Sequence, residues 1–171
     1  MPRIILIGLP GSGKSTVARA LSRITGLSVS DSDHMIEEES GRKISSIFAE
    51  EGESVFRMLE AQVVRRAIAL EPGILSLGGG SILDPESCSL ITGCGAAVIY
   101  LEISISQASA RVGKNEDRPL LQGDPGLKLE AIAAQRAPIY ESLATLTIRT
   151  DSKKASEVAD EILSAINVER V

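Results

Sequence analysis

The chain has 171 residues, of which 43% are apolar, 24% charged and 2% aromatic, and its formal net charge is −5. These values exclude wholesale disorder and leave room for one domain with an aliphatic core. They also argue against nucleic-acid binding, which needs a basic face and aromatic platforms.

The aromatic residues are Phe48, Phe56, Tyr100 and Tyr140. Cys88 and Cys94 form no CxxC pair, and His34 is the only histidine, so no zinc site is expected. The two cysteines read as small reduced residues. The opening MPRIILIG is apolar over only about five positions, too short for a signal peptide or a membrane span. The expectation is a cytoplasmic protein with no membrane partner.

Ile4 to Ile7 form a continuous apolar run, as suits a strand covered on both faces. A loop over 8–13 leads into a helix over about 14–25, which Gly26 stops. Leu27 to Ser30 make a second strand that runs into Asp31-Ser32-Asp33. Helical patterns cover about 34–40 and 44–70, punctuated by Gly41 and Gly52. GILSL (73–77) is a third strand, ending in Gly78-Gly79-Gly80, and Asp84-Pro85 opens a short helix. AAVIYL (96–101) is a fourth strand, followed by a helix from about Ser104. A polar stretch at about 112–126, rich in Pro, Gly and charge, reads as mobile. A helix over about 127–142, a fifth strand TLTIR (145–149) and a helix over 155–167 complete the chain. Five apolar strands alternating with helices predict a parallel α/β sheet in one domain, with helices on both faces.

GLPGSGKST (8–16) carries the chemistry. Gly8, Gly13, Lys14 and Ser15 satisfy GxxxxGK[ST] between a strand and a helix, the context that motif requires. Backbone N–H groups there turn toward phosphates at the positive end of a helix. Lys14 supplies a point charge to the β and γ oxygens, and the Ser15 hydroxyl is placed for Mg²⁺. Two strand ends compete to supply a carboxylate, Glu102 and the pair Asp31 and Asp33. In an extended chain, Asp31 and Asp33 share a face and Ser32 points away. One acid suffices for a metal, and a second suits a phosphoryl acceptor whose hydroxyl must be oriented and deprotonated. A helix cap is the plain alternative.

Further along, Arg57 and Glu60 stand i, i+3 in FRMLE, which read alone is a weak surface ion pair. Arg136 lies in QRAPIY, near the end of a helix broken by Pro138, and read alone is a solvated charge. The triple glycine 78–80 sits at a strand end, where ligands bind in open α/β sheets, or simply makes a tight turn.

GLPGSGKST, DSD, FRMLE, SLGGG, RPLL and QRAPIY, in that order and spacing, closely resemble shikimate kinase from about residue 4 to 165. The resemblance implies a five-stranded parallel sheet in order 2-3-1-4-5 flanked by helices, the P-loop fold of nucleoside monophosphate kinases. It implies ATP and Mg²⁺, with transfer to the 3-hydroxyl of shikimate. The ATP cradle then falls on Gly11, Ser12, Gly13, Lys14, Ser15 and Thr16, with Arg111 against the adenine. Ser15 would hold the metal directly and Asp31 through water. Asp33 would orient the attacking hydroxyl. Arg57 and Arg136 would grip the carboxylate, and the backbone of Gly78, Gly79 and Gly80 would meet the ring. Arg118 would reach the phosphates from a lid over about 112–126, with Glu116 and Asp117 turned outward. The segment 33–60 would hold the acceptor. Lys153 stands where the family often offers Arg to the nucleotide, and Lys cannot stack as Arg does.

Independently, a small anionic acid with vicinal hydroxyls calls for arginine forks and carboxylates, and a water-excluding lid would prevent wasted ATP. Phe48 and Phe56 could line a base slot or wall a carbocycle. A gluconokinase-like enzyme, a nucleoside monophosphate kinase and a non-catalytic nucleotide-binding module are the alternatives. His34 reads as a helix-surface residue. A monomer is expected, because no long apolar surface helix stands out.

Overall fold

The computed structural model describes residues 1–112 and 125–166. The elements, in chain order, are β1 (Pro2–Ile7), α1 (Lys14–Thr25), β2 (Val29–Asp31), α2 (Ser32–Ser40), α3 (Ile44–Leu70), β3 (Gly73–Ser76), α4 (Pro85–Gly93), β4 (Ala97–Glu102), α5 (Ile105–Val112), α6 (Pro125–Leu143), β5 (Leu146–Arg149) and α7 (Ala155–Ile166). A 3-10 turn, Ser81–Leu83, follows the triple glycine. The five strands form one parallel sheet in the order β2-β3-β1-β4-β5.

The period-2 geometry of a strand divides the core between the two faces. Ile5 and Ile7 of β1 face one way, with Leu75, Val98 and Tyr100, against helices α3 to α6. Ile4 and Leu6 face the other way, with Ile74, Ile99 and Ile148, against α1 and α7. Burying an Ile or Leu side chain contributes roughly 1.5–3 kcal/mol, and both faces are mainly aliphatic near β1. A third cluster, Ile36, Ile47, Phe56 and Val63, holds α2 against α3. Among the described residues, no helix is long and apolar enough to cross a membrane.

Three local expectations change. The second strand covers Val29–Asp31 rather than Leu27–Ser30, and Asp33 is not extended. Asp31 caps α2, its side chain accepting from the Asp33 N–H, so the chain turns helical at Ser32. This is the capping alternative realised in geometry. Pro138 does not break its helix, and α6 continues through it to Leu143. Gly52 does interrupt its helix, at φ 83°, so α3 is two helical pieces joined at a kink.

Gly73 opens β3 with φ +86°, and a Cβ there would meet the Ser28 carbonyl oxygen at 2.5 Å. The close approach lets the Ile74 N–H donate to that oxygen at 2.9 Å. Gly73→Ala is therefore expected to cost about 2 kcal/mol or more from left-handed strain and the clash. Gly93 closes α4 with open space around it, and Gly93→Ala is expected to stay within about 0.5 kcal/mol of neutral. Urea unfolding of both variants checks this pair.

Candidate active site

The strand ends build the site. The loop after β1 delivers Lys14 and Ser15 on the first turn of α1, whose N-cap Gly13 sits at φ 92°. In that conformation a glycine costs little, whereas a side chain would be strained. The N-terminal N–H groups of α1 thus face the loop as anion donors. The Lys14 ammonium folds back over the loop, donating to the Gly8 carbonyl at 2.8 Å and the Leu9 carbonyl at 3.0 Å. Ser12 is buried, and its hydroxyl has no hydrogen-bond partner among the described residues.

A cavity of about 850 Å³ opens beside this loop. Lys14, Ser15, Asp31, Asp33, Arg57 and Arg136 all line it. The expected carboxylate pair is there, but not by strand alternation. Asp31 ends β2 and Asp33 sits in the first turn of α2, while the buried Ser32 between them accepts from the Gly78 N–H at 2.8 Å. The Ser15 hydroxyl donates to the Asp31 carboxylate at 2.8 Å. Two hard oxygen donors side by side next to a phosphate loop match the few protein ligands that Mg²⁺ takes. Asp33 lies close against Gly78, where any Cβ would collide with its carboxylate.

The Arg57–Glu60 pair corrects the surface reading. Glu60 has 4% of its side chain exposed and Arg57 22%, and they meet at 2.5 Å. Glu60 also accepts from the buried Ser81 hydroxyl at 3.0 Å. Burial alone would lower the Arg57 pKa, but Glu60 and Glu53 outweigh it and hold the guanidinium above its ordinary value. The guanidinium stands 5.1 Å from the Phe56 ring centroid, and Phe56 in turn packs on Phe48 at 4.6 Å. Arg57 also crowds Gly80, where a Cβ would overlap the guanidinium. Arg136 is likewise not a solvated charge. It is 4% exposed, and its Nε has no partner among the described residues.

A second cavity, of about 240 Å³, is lined by Gly13, Thr16, Arg111 and Lys153. Arg111 donates to the Gly11 carbonyl at 3.3 Å. Lys153 instead pairs with Glu161 at 2.7 Å. The loop that carries it is fastened to α5, where Asp151 accepts from Ser104 and Gln107 exchanges hydrogen bonds with Ser152. His34 is exposed and pairs with Glu38. Arg118, Glu116, Asp117 and nearly all of the expected lid fall within 113–124, outside the described residues.

Sequence reasoning left three contributors without a role. Ser81 gave no signal, Glu60 was only half of an ion pair, and Tyr140 was only part of QRAPIY. The spacing of Tyr140 four residues after Arg136 on a helix was the available clue.

Breaking a buried ion pair leaves a charge without compensation, whereas an exposed pair is screened. Glu60→Gln is expected to destabilise by about 2 kcal/mol, discounted for the partial exposure of Arg57. Glu53, at 54% side-chain exposure, also contacts Arg57, and Glu53→Gln is expected to cost less than about 0.5 kcal/mol. Urea unfolding distinguishes them, and equal costs would mean that solvent screens both pairs alike.

The family model for shikimate kinase matches residues 10–167. The chain is 45% identical over 159 residues to the shikimate kinase of Thermobifida fusca, covering 93% of this chain and 91% of that one. Its fold is similar to that of a shikimate kinase from Acinetobacter baumannii solved in complex with shikimate, with a TM-score of 0.93 and 34% identity over 98% of this chain and 93% of that one. The shikimate kinase of Aquifex aeolicus is also similar, at a TM-score of 0.81 and 28% identity over 98% of this chain and 96% of that one. A family match over residues 10–167, with a relative 45% identical across 93% of the chain, leaves one conclusion: the chain belongs to the shikimate kinase family.

Proposed function

We propose that this chain transfers the γ-phosphoryl group of ATP to the 3-hydroxyl of shikimate, giving shikimate 3-phosphate and ADP in aromatic amino acid biosynthesis. One observation carries the reading. A single cavity is lined at once by a phosphate loop, two carboxylates and two arginines. A phosphate donor, an alcohol and a carboxylate together call for that set, and shikimate bound to the Acinetobacter baumannii relative supports the acceptor.

The chemistry needs positioning and charge stabilisation more than covalent help. Gly11, Ser12, Gly13 and Thr16 offer the phosphates a concave backbone at the start of α1, supported by the left-handed Gly11 and Gly13. Lys14 swings from the Gly8 and Leu9 carbonyls onto the β and γ oxygens, where charge grows in the transition state. Asp33 orients the attacking hydroxyl and takes its proton. Its place in the cavity that Gly79 and Gly80 also line supports that role. Arg57 and Arg136 take the acceptor carboxylate as forks. Their burial supports this, because a charge kept from water gains most from a bound anion. Gly78, Gly79 and Gly80 bring the backbone to the ring, Phe48 and Phe56 wall it, and the segment 33–60 carries most of the acceptor side.

Ser15 and Asp31 would hold Mg²⁺, the first as a direct ligand and the second through water, and the ion would supply positive charge that offsets the phosphates. Arg111 lies against the adenine and Lys153 borders the nucleotide, its bond to Glu161 leaving it a neighbour rather than a stacking partner. The same reading gives a lid role to the segment about 112–126 and a phosphate contact to Arg118, which lies outside the described residues. The enzyme is read as a cytoplasmic monomer acting on ATP and shikimate, with neither nucleic acid nor membrane as partner.

The test is ADP release with ATP and Mg²⁺, offering shikimate, gluconate or AMP separately. Shikimate alone is expected to stimulate release, and Asp33→Asn to lower kcat at least about 100-fold while ATP affinity stays within about twofold. Stimulation by gluconate or AMP instead would replace the acceptor. ADP release independent of any acceptor would overturn the kinase reading.

A further inference from the structure

Tyr140 is fully buried, one turn after Arg136 on α6. An unpaired hydroxyl at that depth costs about 1–3 kcal/mol, so its partners matter. The phenol donates to the Gly79 carbonyl at 2.6 Å. The Arg136 guanidinium lies beside the same oxygen and pulls against the rise in its pKa. One atom therefore joins the buried arginine to the triple-glycine turn. The ring is fixed from behind by Tyr100, stacked at a centroid separation of 5.1 Å. Burial pushes the phenol far above its ordinary pKa, against the pull of Arg136, so it remains a donor throughout the neutral range.

The glycine turn needs such a strut. Glycine has no side chain to hold a peptide plane, and the stretch has three in succession. Among the described residues no peptide is cis, so a Gly79 carbonyl held on Tyr140 turns the Gly80 N–H the opposite way. Gly79, Gly80 and Arg136 all line the large cavity.

We propose that Tyr140 is a positioning residue for the acceptor, its hydroxyl locking the Gly79–Gly80 peptide plane and the Arg136 guanidinium into one rigid wall. The proposal rests on the shikimate kinase reading above. It assigns Tyr140 no contact with the reacting atoms. Its effect falls on acceptor binding, because both groups it holds face the acceptor and neither belongs to the phosphate loop.

Tyr140→Phe keeps the ring and its stacking but removes the hydrogen bond to Gly79 and the polar contact with Arg136. Calorimetric titration with shikimate and with ATP, alongside steady-state kinetics, reads the result. Shikimate affinity is expected to fall roughly tenfold, with ATP affinity within about twofold. KM for shikimate should rise while kcat falls much less. Unchanged shikimate affinity, or an equal loss for both ligands, overturns the proposal in favour of a purely structural tyrosine. On the unaltered protein, the Gly80 amide resonance is expected to shift with shikimate and not with ADP alone. An amide indifferent to shikimate overturns the proposal even if the variant fails to fold. If the unaltered protein binds no shikimate, the functional reading falls and this inference with it. Normal binding that Tyr140→Phe leaves intact removes the inference alone.

Discussion

The register between β1 and its parallel neighbour β3 is the constraint on which the site depends. Leu6 pairs with Ser76, and the Leu77 N–H continues the ladder to the Leu6 carbonyl at 3.1 Å. Asp31 of β2 lies opposite the same Ser76. Three strands therefore end in line, and each releases a different tool at the same edge. The phosphate loop leaves β1, the carboxylate pair leaves β2, and the triple glycine leaves β3. The packing there is close enough that a Cβ on Gly79 would stand 3.3 Å from the Gly8 carbonyl. A slip of one residue would reverse every side chain of a strand between faces. It would drive Ile4 and Leu6 into the packing made for Ile5 and Ile7, and the reverse, so the two cores together enforce the alignment that the chemistry uses.

Electrostatics follows from the same edge. A chain with net charge −5 still gathers Lys14, Arg57, Arg111 and Arg136 around its cavities. Burying an arginine is costly unless it is paired. Arg57 is offset by Glu60, itself steadied by Ser81. Arg136 keeps one nitrogen without a partner and leans on Tyr140. Much of the surface, by contrast, balances its charges locally, as in the Lys43–Glu37 pair and the contact between Arg42 and Glu50. The cavity is the place where positive charge is held partly in reserve for an anion.

The sequence made the parts that depend on local rules legible. The apolar run Ile4–Ile7, the loop at Gly8 and Gly13, and the helix stop at Gly26 needed only period, motif and glycine chemistry. Asp33 was rightly placed at the cavity, but through an extended geometry that the chain does not adopt. The cap that Asp31 makes on Asp33 turns the backbone helical two residues earlier than alternation assumes. Arg57 and Glu60 looked like a surface pair because helical spacing says nothing about what covers the helix, and Gly80 and Ser81 arrive from another strand. Pro138 looked like a breaker because an isolated helix pays for the lost hydrogen bond, whereas α6 is packed against the core. The bond from Tyr140 to Gly79 spans 61 positions, and no short pattern could announce it.

The central claim is one of orientation, with the acceptor held by its carboxylate on the two arginines and its hydroxyl offered to Asp33. A crystal structure with shikimate and ADP bound tests this most directly. The account predicts the carboxylate within hydrogen-bond distance of both Arg57 and Arg136, roughly 2.7–3.2 Å, with a ring hydroxyl at the same range from Asp33. A carboxylate seated instead at Lys14 or in the phosphate loop, with Arg57 still bound only to Glu60 and Glu53, would contradict it.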